Sequence, residues 1–224
     1  MDNAHPESVV VFDFDHTLTD FDTGSAFFAW LLKRGKWRIA LLVTISPLLV
    51  PLLALRQTRK WPLRVAVWAG TLWRSQPKID ALCKEFASER SAAGFPVLRQ
   101  CGIQCAQWHL SQGHTVIVAT GTLASLATAL LGHTELKDVI VVGSSMKRFL
   151  FGMVAHEHCY GKEKVRMLEQ RGFAGPWLAG YTDHASDFSL LENSRERYLV
   201  NPKPKAATAY EAQFNAKPNI LHWN

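Results

Sequence analysis

The sequence predicts an α/β protein, a doubly wound parallel sheet interrupted after its first strand by an α-helical insertion. Three observations carry that reading. Short, uninterrupted apolar runs at 9–12, 115–120 and 139–142 each stop at an acid or a glycine, as strands buried on both faces do. Helical patterns alternate with these runs in the C-terminal half. Residues 22–95 contain no punctuated strand-like run and are helical or uniformly apolar throughout.

In chain order, Val9-Val10-Val11-Phe12 forms the first strand, ending at Asp13. After the insertion, 115–120 is the second strand, followed by Gly121 and a helix from Leu123 to Leu131. The third strand, 139–142, ends at Gly143, and 149–154, broken by Gly152, reads as a hairpin. A helix at 162–171 stops at Gly172. The run 177–182 is a fourth core strand, followed by a helix near 187–192, and 198–200 is a fifth strand. In such a sheet the site is expected at the C-terminal ends of the strands. The domains drawn on this basis are a core of 1–21 with 96–224 and a cap of 22–95.

Composition narrows the class. With 48% hydrophobic and 20% charged residues among 224, the chain can bury a sizeable core. Four cysteines (Cys83, Cys101, Cys105, Cys159), with no C-x-x-C pair, make no disulfide framework, so a reducing compartment is expected. The first ten residues have no basic region ahead of an apolar run and do not read as a secretory signal. The net charge of +6 is unevenly spread. Between Thr23 and Ile79 lie ten Lys or Arg and no acid, whereas the remainder holds fifteen basic and nineteen acidic residues. A nucleic-acid-binding chain would spread its charge more evenly, so no nucleic-acid partner is expected. The insertion alone faces something anionic.

Four short segments carry chemistry. Phe12-Asp13-Phe14-Asp15-His16-Thr17 places two acids at a strand end. With period-two alternation Asp13 and Asp15 face one way and the phenylalanines face the core. Paired carboxylates there can hold a hard cation and divide the roles of nucleophile and acid/base. Asp20-Phe21-Asp22-Thr23 repeats the spacing without a preceding strand and is assigned to the start of the insertion. Thr120-Gly121 offers a hydroxyl and backbone N–H groups at a strand-to-helix turn, suited to phosphate oxygens. Lys162 or Lys164, after Gly161, can neutralise phosphoryl charge, and Asp183 and Asp187 follow the fourth core strand. His156-Glu157-His158-Cys159 has a spacing that suits no common zinc pattern.

Taken together and in this order, DxDxT, Thr, Lys and DxxxD resemble the four motifs of the haloacid dehalogenase (HAD) superfamily, in its phosphatase branch because Asp15 is present. With Val200-Asn201-Pro202-Lys203-Pro204 the pattern is similar to subfamily IB hydrolases, relatives of phosphoserine phosphatase. The resemblance implies a Rossmann-like core with a C1-type cap after the first motif. It also implies Asp13 as the nucleophile that becomes an aspartyl-phosphate and Asp15 as the acid/base. Thr120, Gly121 and Lys164 would bind phosphate, and Mg²⁺ would sit among Asp13, the carbonyl of Asp15, and Asp183, with Asp187 in support. The C-x-G-x-x-K spacing favours Lys164 over Lys162, and Thr182 stands where Gly precedes the acid in many relatives.

The insertion bears on the substrate. Residues 39–55 are seventeen without a charge, flanked by basic clusters. As a helix they would extend roughly 25 Å, short of the roughly 30 Å hydrocarbon core, and Pro47 and Pro51 would break them. Asp13 and Asp183 lie on opposite sides of this segment in sequence yet must share one site, which excludes a single crossing. A proline-broken hairpin dipping into one leaflet is expected, with Trp30, Trp37, Trp61, Trp68 and Trp73 at the interface and the cations on anionic head groups. The apolar segment, Arg59-Lys60-Trp61-Pro62 and the Trp-rich stretch are similar to the phosphatidylglycerophosphatase C family of bacterial inner membranes. That resemblance implies a lipid phosphate substrate, an anionic phospholipid surface as partner, and monotopic attachment at the cytoplasmic face. The alternatives are a phosphatase for soluble esters such as phosphoserine or histidinol phosphate, and a membrane-docked adaptor with a silent core.

Overall fold

The computed structural model describes residues 8–54, 60–94 and 98–224. Strand β1 (Val9–Asp13) is buried along its whole length. Its alternate side chains enter two apolar clusters, Val10 and Phe12 on one face of the sheet and Val9 and Val11 on the other. The insertion follows as four helices: α1 (Thr23–Lys33), α2 (Lys36–Ala54), α3 (Lys60–Gly70) and α4 (Gln76–Ala92). Then come α5 (Gln100–Ser111), β2 (Thr115–Leu123), α6 (Ala124–Leu131) and β3 (Ile140–Ser144). The hairpin β4 (Met146–Phe149) and β5 (Gly152–Ala155) leads to α7 (Lys162–Gln170) and β6 (Trp177–Thr182). Helix α8 (Phe188–Glu192), β7 (Ser194–Val200), α9 (Pro204–Phe214) and β8 (Asn219–Leu221) complete the chain. The sheet runs β3-β2-β1-β6-β7-β8 with every pairing parallel, so the doubly wound core is as expected.

Several elements depart from expectation in detail. The sheet has a sixth strand, β8, only three residues long and carrying Asn219, too short for a periodic signal. Strand β2 runs on to Leu123, and the helix starts at Ala124, because a register shift between Thr120 and Leu123 carries Gly121 and Thr122 through an irregular turn. The hairpin begins at Met146, and Gly152 opens β5 rather than forming the turn. A side chain at Gly152 would meet the carbonyl oxygen of Trp68 at 2.7 Å, so glycine there allows the hairpin to lie against α3. Thr71 Oγ1 seals that contact, accepting from Met153 N at 2.9 Å.

The expected break at the prolines is corrected: α2 continues through both Pro47 and Pro51. Pro47 lacks the N–H that would bond Val43 O, and Ser46 Oγ donates to that carbonyl at 2.8 Å instead. The sharp bend, 109°, falls between α1 and α2, near Gly35. Among the described residues no single helix is long and apolar enough to cross a membrane; α1 and α2 meet the length and composition only as a bent pair. Leu55, Arg56 and Arg59 of the predicted hairpin, and the cap boundary at 95, lie outside the described residues. The apolar side chains of α2 remain largely uncovered, with Leu48 at 76% and Val43 at 65% exposure. By contrast α1 and α4 join the core: Phe27, Leu31, Ile79 and Phe86 share one cluster with Phe12 and Leu126.

Under the sheet, His109 of α5 is 2% exposed and bonds Tyr181 Oη at 2.9 Å and His114 Nδ1 at 3.0 Å. Burial, then the neighbouring His114, pushes its pKa down to about 4. A depressed histidine stabilises the fold fully above its unfolded pKa near 6.5, and that contribution is lost as pH falls towards 4. The loss should reach about 3 kcal/mol. Denaturant unfolding across pH 4–7 should therefore show a steeper acid decline for the wild type than for His109→Gln.

Candidate active site

The chain leaves β1 at Asp13 and turns at once into a tight helical turn, Phe14–Leu18, in which Asp15 is extended and His16 adopts φ 61°. Asp15 is therefore not on a strand, as its spacing predicts; the turn brings it into the same cleft by another route. The cleft, about 410 Å³, is lined by Asp13, Asp15, Gly121, Lys164, Asp183 and Asp187 among others, at the C-terminal ends of β1, β2 and β6.

Lys164 organises the floor. It is 1% exposed, and its Nζ donates to Asp13 Oδ1 at 2.6 Å and Asp187 Oδ2 at 3.0 Å. Lys162 is exposed, so geometry separates the two lysines. Gly161, at φ 59°, turns the chain into α7, and its N–H donates to Asp187 Oδ1 at 3.1 Å. Asp13 Oδ1 also accepts from Phe14 N at 2.7 Å, leaving Oδ2 with one longer bond, from Thr182 Oγ1 at 3.3 Å. Burial raises the pKa of Asp13 to about 8 against the pull of Lys164, and Asp187 and Asp183 add to the rise. Burial alone would lower the pKa of Lys164, but Asp13 and Asp187 hold its ammonium above the usual range.

Asp15 is held by the cap. Its Oδ1 accepts from Thr23 N at 2.7 Å and Thr23 Oγ1 at 2.6 Å, and its Oδ2 from Thr120 Oγ1 at 3.4 Å. Burial raises its pKa, with Thr23 opposing, the direction an acid catalyst needs at neutral pH. Asp183 is also raised by burial, with His16 and His184 opposing.

Two carboxylates thus bracket Lys164, and two more, Asp15 and Asp183, line the same cleft. Among the described residues no three His, Cys, Asp or Glu side chains form a ligating group. Asp187 is engaged by Lys164 and Gly161, which leaves Asp13 and Asp183 as the side-chain oxygens facing the cleft. An oxygen-only pair with surplus negative charge fits Mg²⁺, which binds through one or two carboxylates and keeps several waters.

Every residue predicted for the site is in or beside the cleft. Three others escaped the sequence reading. Thr23 sits in the segment set aside as a repeat of the first motif, where Asp22 caps α1 through Ser25 N at 2.6 Å. Thr182 stands where many relatives have glycine, and its hydroxyl donates to Asp13 Oδ2. Thr122, 6% exposed, has a buried Oγ1 without a hydrogen-bond partner, at the cleft wall. In the His156–Cys159 segment the side chains diverge: His158 stacks on Tyr160 with centroids 5.5 Å apart, and Cys159 points inward to Val142 O.

An all-parallel α/β core with two carboxylates after its first strand, and a lysine and further acids after later ones, defines a hydrolase of a particular superfamily. The chain belongs to the haloacid dehalogenase-like hydrolases, whose family model matches residues 10–192. Among solved structures it is similar to a Bordetella pertussis Tohama I protein of unknown function (TM-score 0.66, 18% identity, 97% of this chain and 99% of that one). It is also similar to a substrate-bound phosphoserine phosphatase (TM-score 0.54, 14% identity, 92% and 91%). A third is cytosolic 5'-nucleotidase IIIB bound to cytidine (TM-score 0.58, 13% identity, 97% and 80%). At these identities the likeness is one of fold.

Lys164→Met should strand two buried carboxylates. Removing one partner of a buried ion pair costs about 3–5 kcal/mol, so chemical denaturation should place this variant that far below the wild type. An unchanged midpoint would show that the lysine does not hold the acids together.

Proposed function

We propose that the protein is a Mg²⁺-dependent phosphomonoesterase that works through an aspartyl-phosphate and acts on a lipid phosphate, phosphatidylglycerophosphate first among candidates. One observation carries the chemistry. Asp13 has one oxygen pinned by Lys164 and the other nearly free, beside a second acid held independently by Thr23 and Thr120. Asp13 Oδ2 attacks phosphorus as the ester P–O bond breaks, and Asp15 gives its proton to the departing alkoxide. Asp15, now a carboxylate, takes a proton from water, whose oxygen attacks phosphorus and releases Asp13. Lys164 offsets charge on the phosphoryl oxygens, and Thr120, the Gly121 turn and the unpartnered Thr122 hydroxyl supply donors. Mg²⁺, held by Asp13 and Asp183 with the Asp15 carbonyl, would neutralise the phosphoryl group.

The lipid reading is supported by α2. Its side chains are aliphatic and uncovered around much of its girth, and the stretch from Thr23 to Ile79 carries ten cations and no acid. Such a helix suits the interface of an anionic leaflet, with the core at the cytoplasmic face of a bacterial inner membrane. A soluble phosphomonoester is the second reading, favoured by the likeness to phosphoserine phosphatase and a nucleotidase.

Phosphate release from a panel of lipid and soluble phosphomonoesters, with Mg²⁺ and with EDTA, decides between them. Asp13→Asn should reduce release to background with the fold retained; EDTA-insensitive turnover by this variant would overturn the mechanism. Leu42→Asp with Leu49→Asp should abolish vesicle binding and turnover of phosphatidylglycerophosphate in vesicles, because a charge at a helix centre in a bilayer costs about 2.5–3.5 kcal/mol. Hydrolysis of p-nitrophenyl phosphate should persist. Unchanged lipid turnover would favour the soluble substrate.

A further inference from the structure

At the α1–α2 bend two arginines meet without an acid. Arg38 is only 8% exposed, yet among the described residues its guanidinium makes a single hydrogen bond, Nη2 to Leu72 O at 2.8 Å, and its buried Nε has no partner. The bend is shaped around it: a side chain at Gly35 would fall 2.4 Å from Arg38 Nη1. Arg74, two residues after Leu72, is half-buried and bonds only a carbonyl, Gly70 O, at 3.0 Å. Burial, then Arg38 and Arg34, lower its pKa to about 10, which places the three guanidiniums in one field. Arg34 is neutralised by Glu85 and Glu89. Among the described residues, Arg38 and Arg74 make no ion pair.

A buried, uncompensated guanidinium beside a second one is costly in an isolated protein. It is favourable once an anion arrives, because planar guanidinium forks match the oxygens of a phosphate. The surround says what bears that phosphate. Trp37 (47% exposed) stacks on Arg38 at 4.4 Å, and Trp73 (69%) stands next to Arg74 with its ring 4.6 Å from Phe151 (58%). Leu150 (65%) holds the hairpin tip at φ 44°, a left-handed backbone that a leucine adopts only at a cost. An apolar rim around a cationic pocket complements the head-group layer of a bilayer and not a dissolved ion.

We propose that Arg38 and Arg74 form an anion site, separate from the catalytic cleft, that takes the phosphodiester of an anionic phospholipid while Trp37, Trp73, Leu150 and Phe151 enter the leaflet around it. The site extends the membrane-docked part of the function proposed above and is independent of its chemistry. It gives the β4–β5 hairpin a role beside the insertion, fixing the core's orientation on the surface at a second point besides the apolar run of α2.

The test is flotation of the full chain with vesicles of phosphatidylcholine alone or mixed with phosphatidylglycerol. Arg74→Gln should weaken binding to the anionic vesicles roughly fivefold, and Arg38→Gln with Arg74→Gln by about that factor for each charge, with binding to neutral vesicles unchanged. Leu150→Ser with Trp73→Ser should weaken binding to both. p-Nitrophenyl phosphate turnover should match wild type in Arg74→Gln, which keeps the test valid if the buried Arg38 variant fails to fold. Wild-type preference for anionic vesicles in Arg74→Gln would overturn the site. So would inorganic phosphate binding that Arg74→Gln abolishes without any change in vesicle binding. Turnover of lipid phosphate in neutral detergent micelles separates the two proposals. If micellar lipid is hydrolysed but the arginines prove irrelevant to vesicles, this site fails and the lipid-phosphatase reading stands. If the arginines govern docking but no lipid phosphate is hydrolysed, the reverse holds.

Discussion

The buried lysine at the start of α7 is the interaction on which the cleft depends. The ends of β1 and β6 and the turns after them deliver four carboxylates to one place, and the desolvation of so many carboxylates would drive them apart or force protons onto them. Lys164 reaches in from a different layer and joins Asp13 to Asp187, so that β1, α7 and the turn after β6 are tied by two direct contacts. The tie is also selective in what it leaves open. One oxygen of Asp13 is consumed by it and the other is left with a single longer bond, so the ion pair also orients the carboxylate.

The parallel core was legible because buried strands need continuous apolar runs, and those at β1, β2 and β6 have them. Where a strand gains its place from its neighbour and not from its own pattern, the signal fails. Strand β8 is three residues with an asparagine, recruited by β7, and the start of β7 at Ser194-Arg195-Glu196-Arg197 is polar. Proline misled in α2 because a local rule was applied without its remedy: Ser46 stands one residue before Pro47 and its hydroxyl serves the carbonyl that the ring leaves unpaired. Period-two logic also put Asp15 on the right wall for the wrong reason, since β1 ends at Asp13 and the helical turn Phe14–Leu18 begins before the second acid.

The candidate acids and the lysine were readable since ionisable groups directly after apolar runs are conspicuous. The hydroxyls were not. Thr23, Thr122 and Thr182 are ordinary in sequence, and threonine is common at helix starts and strand ends for local reasons. Only the three-dimensional arrangement distinguishes Thr182, whose hydroxyl reaches Asp13, from a threonine that merely fills a strand end. The pair of arginines at the α1–α2 bend was equally hidden, because a cation-rich segment predicts solvated charge and gives no sign that one of its members is buried.

Thr23 belongs to the cap by its helix and to the active site by its hydrogen bonds. Both its N–H and its hydroxyl donate to Asp15 Oδ1. The insertion is consequently not an interchangeable attachment. A chimaera that joined this core to another cap at residue 22 would lose the clamp on Asp15 even if every core motif were kept. Conversely, this cap grafted elsewhere would carry with it two of the donors that hold Asp15. Cap and cleft in this chain are inherited together, through one residue at their seam.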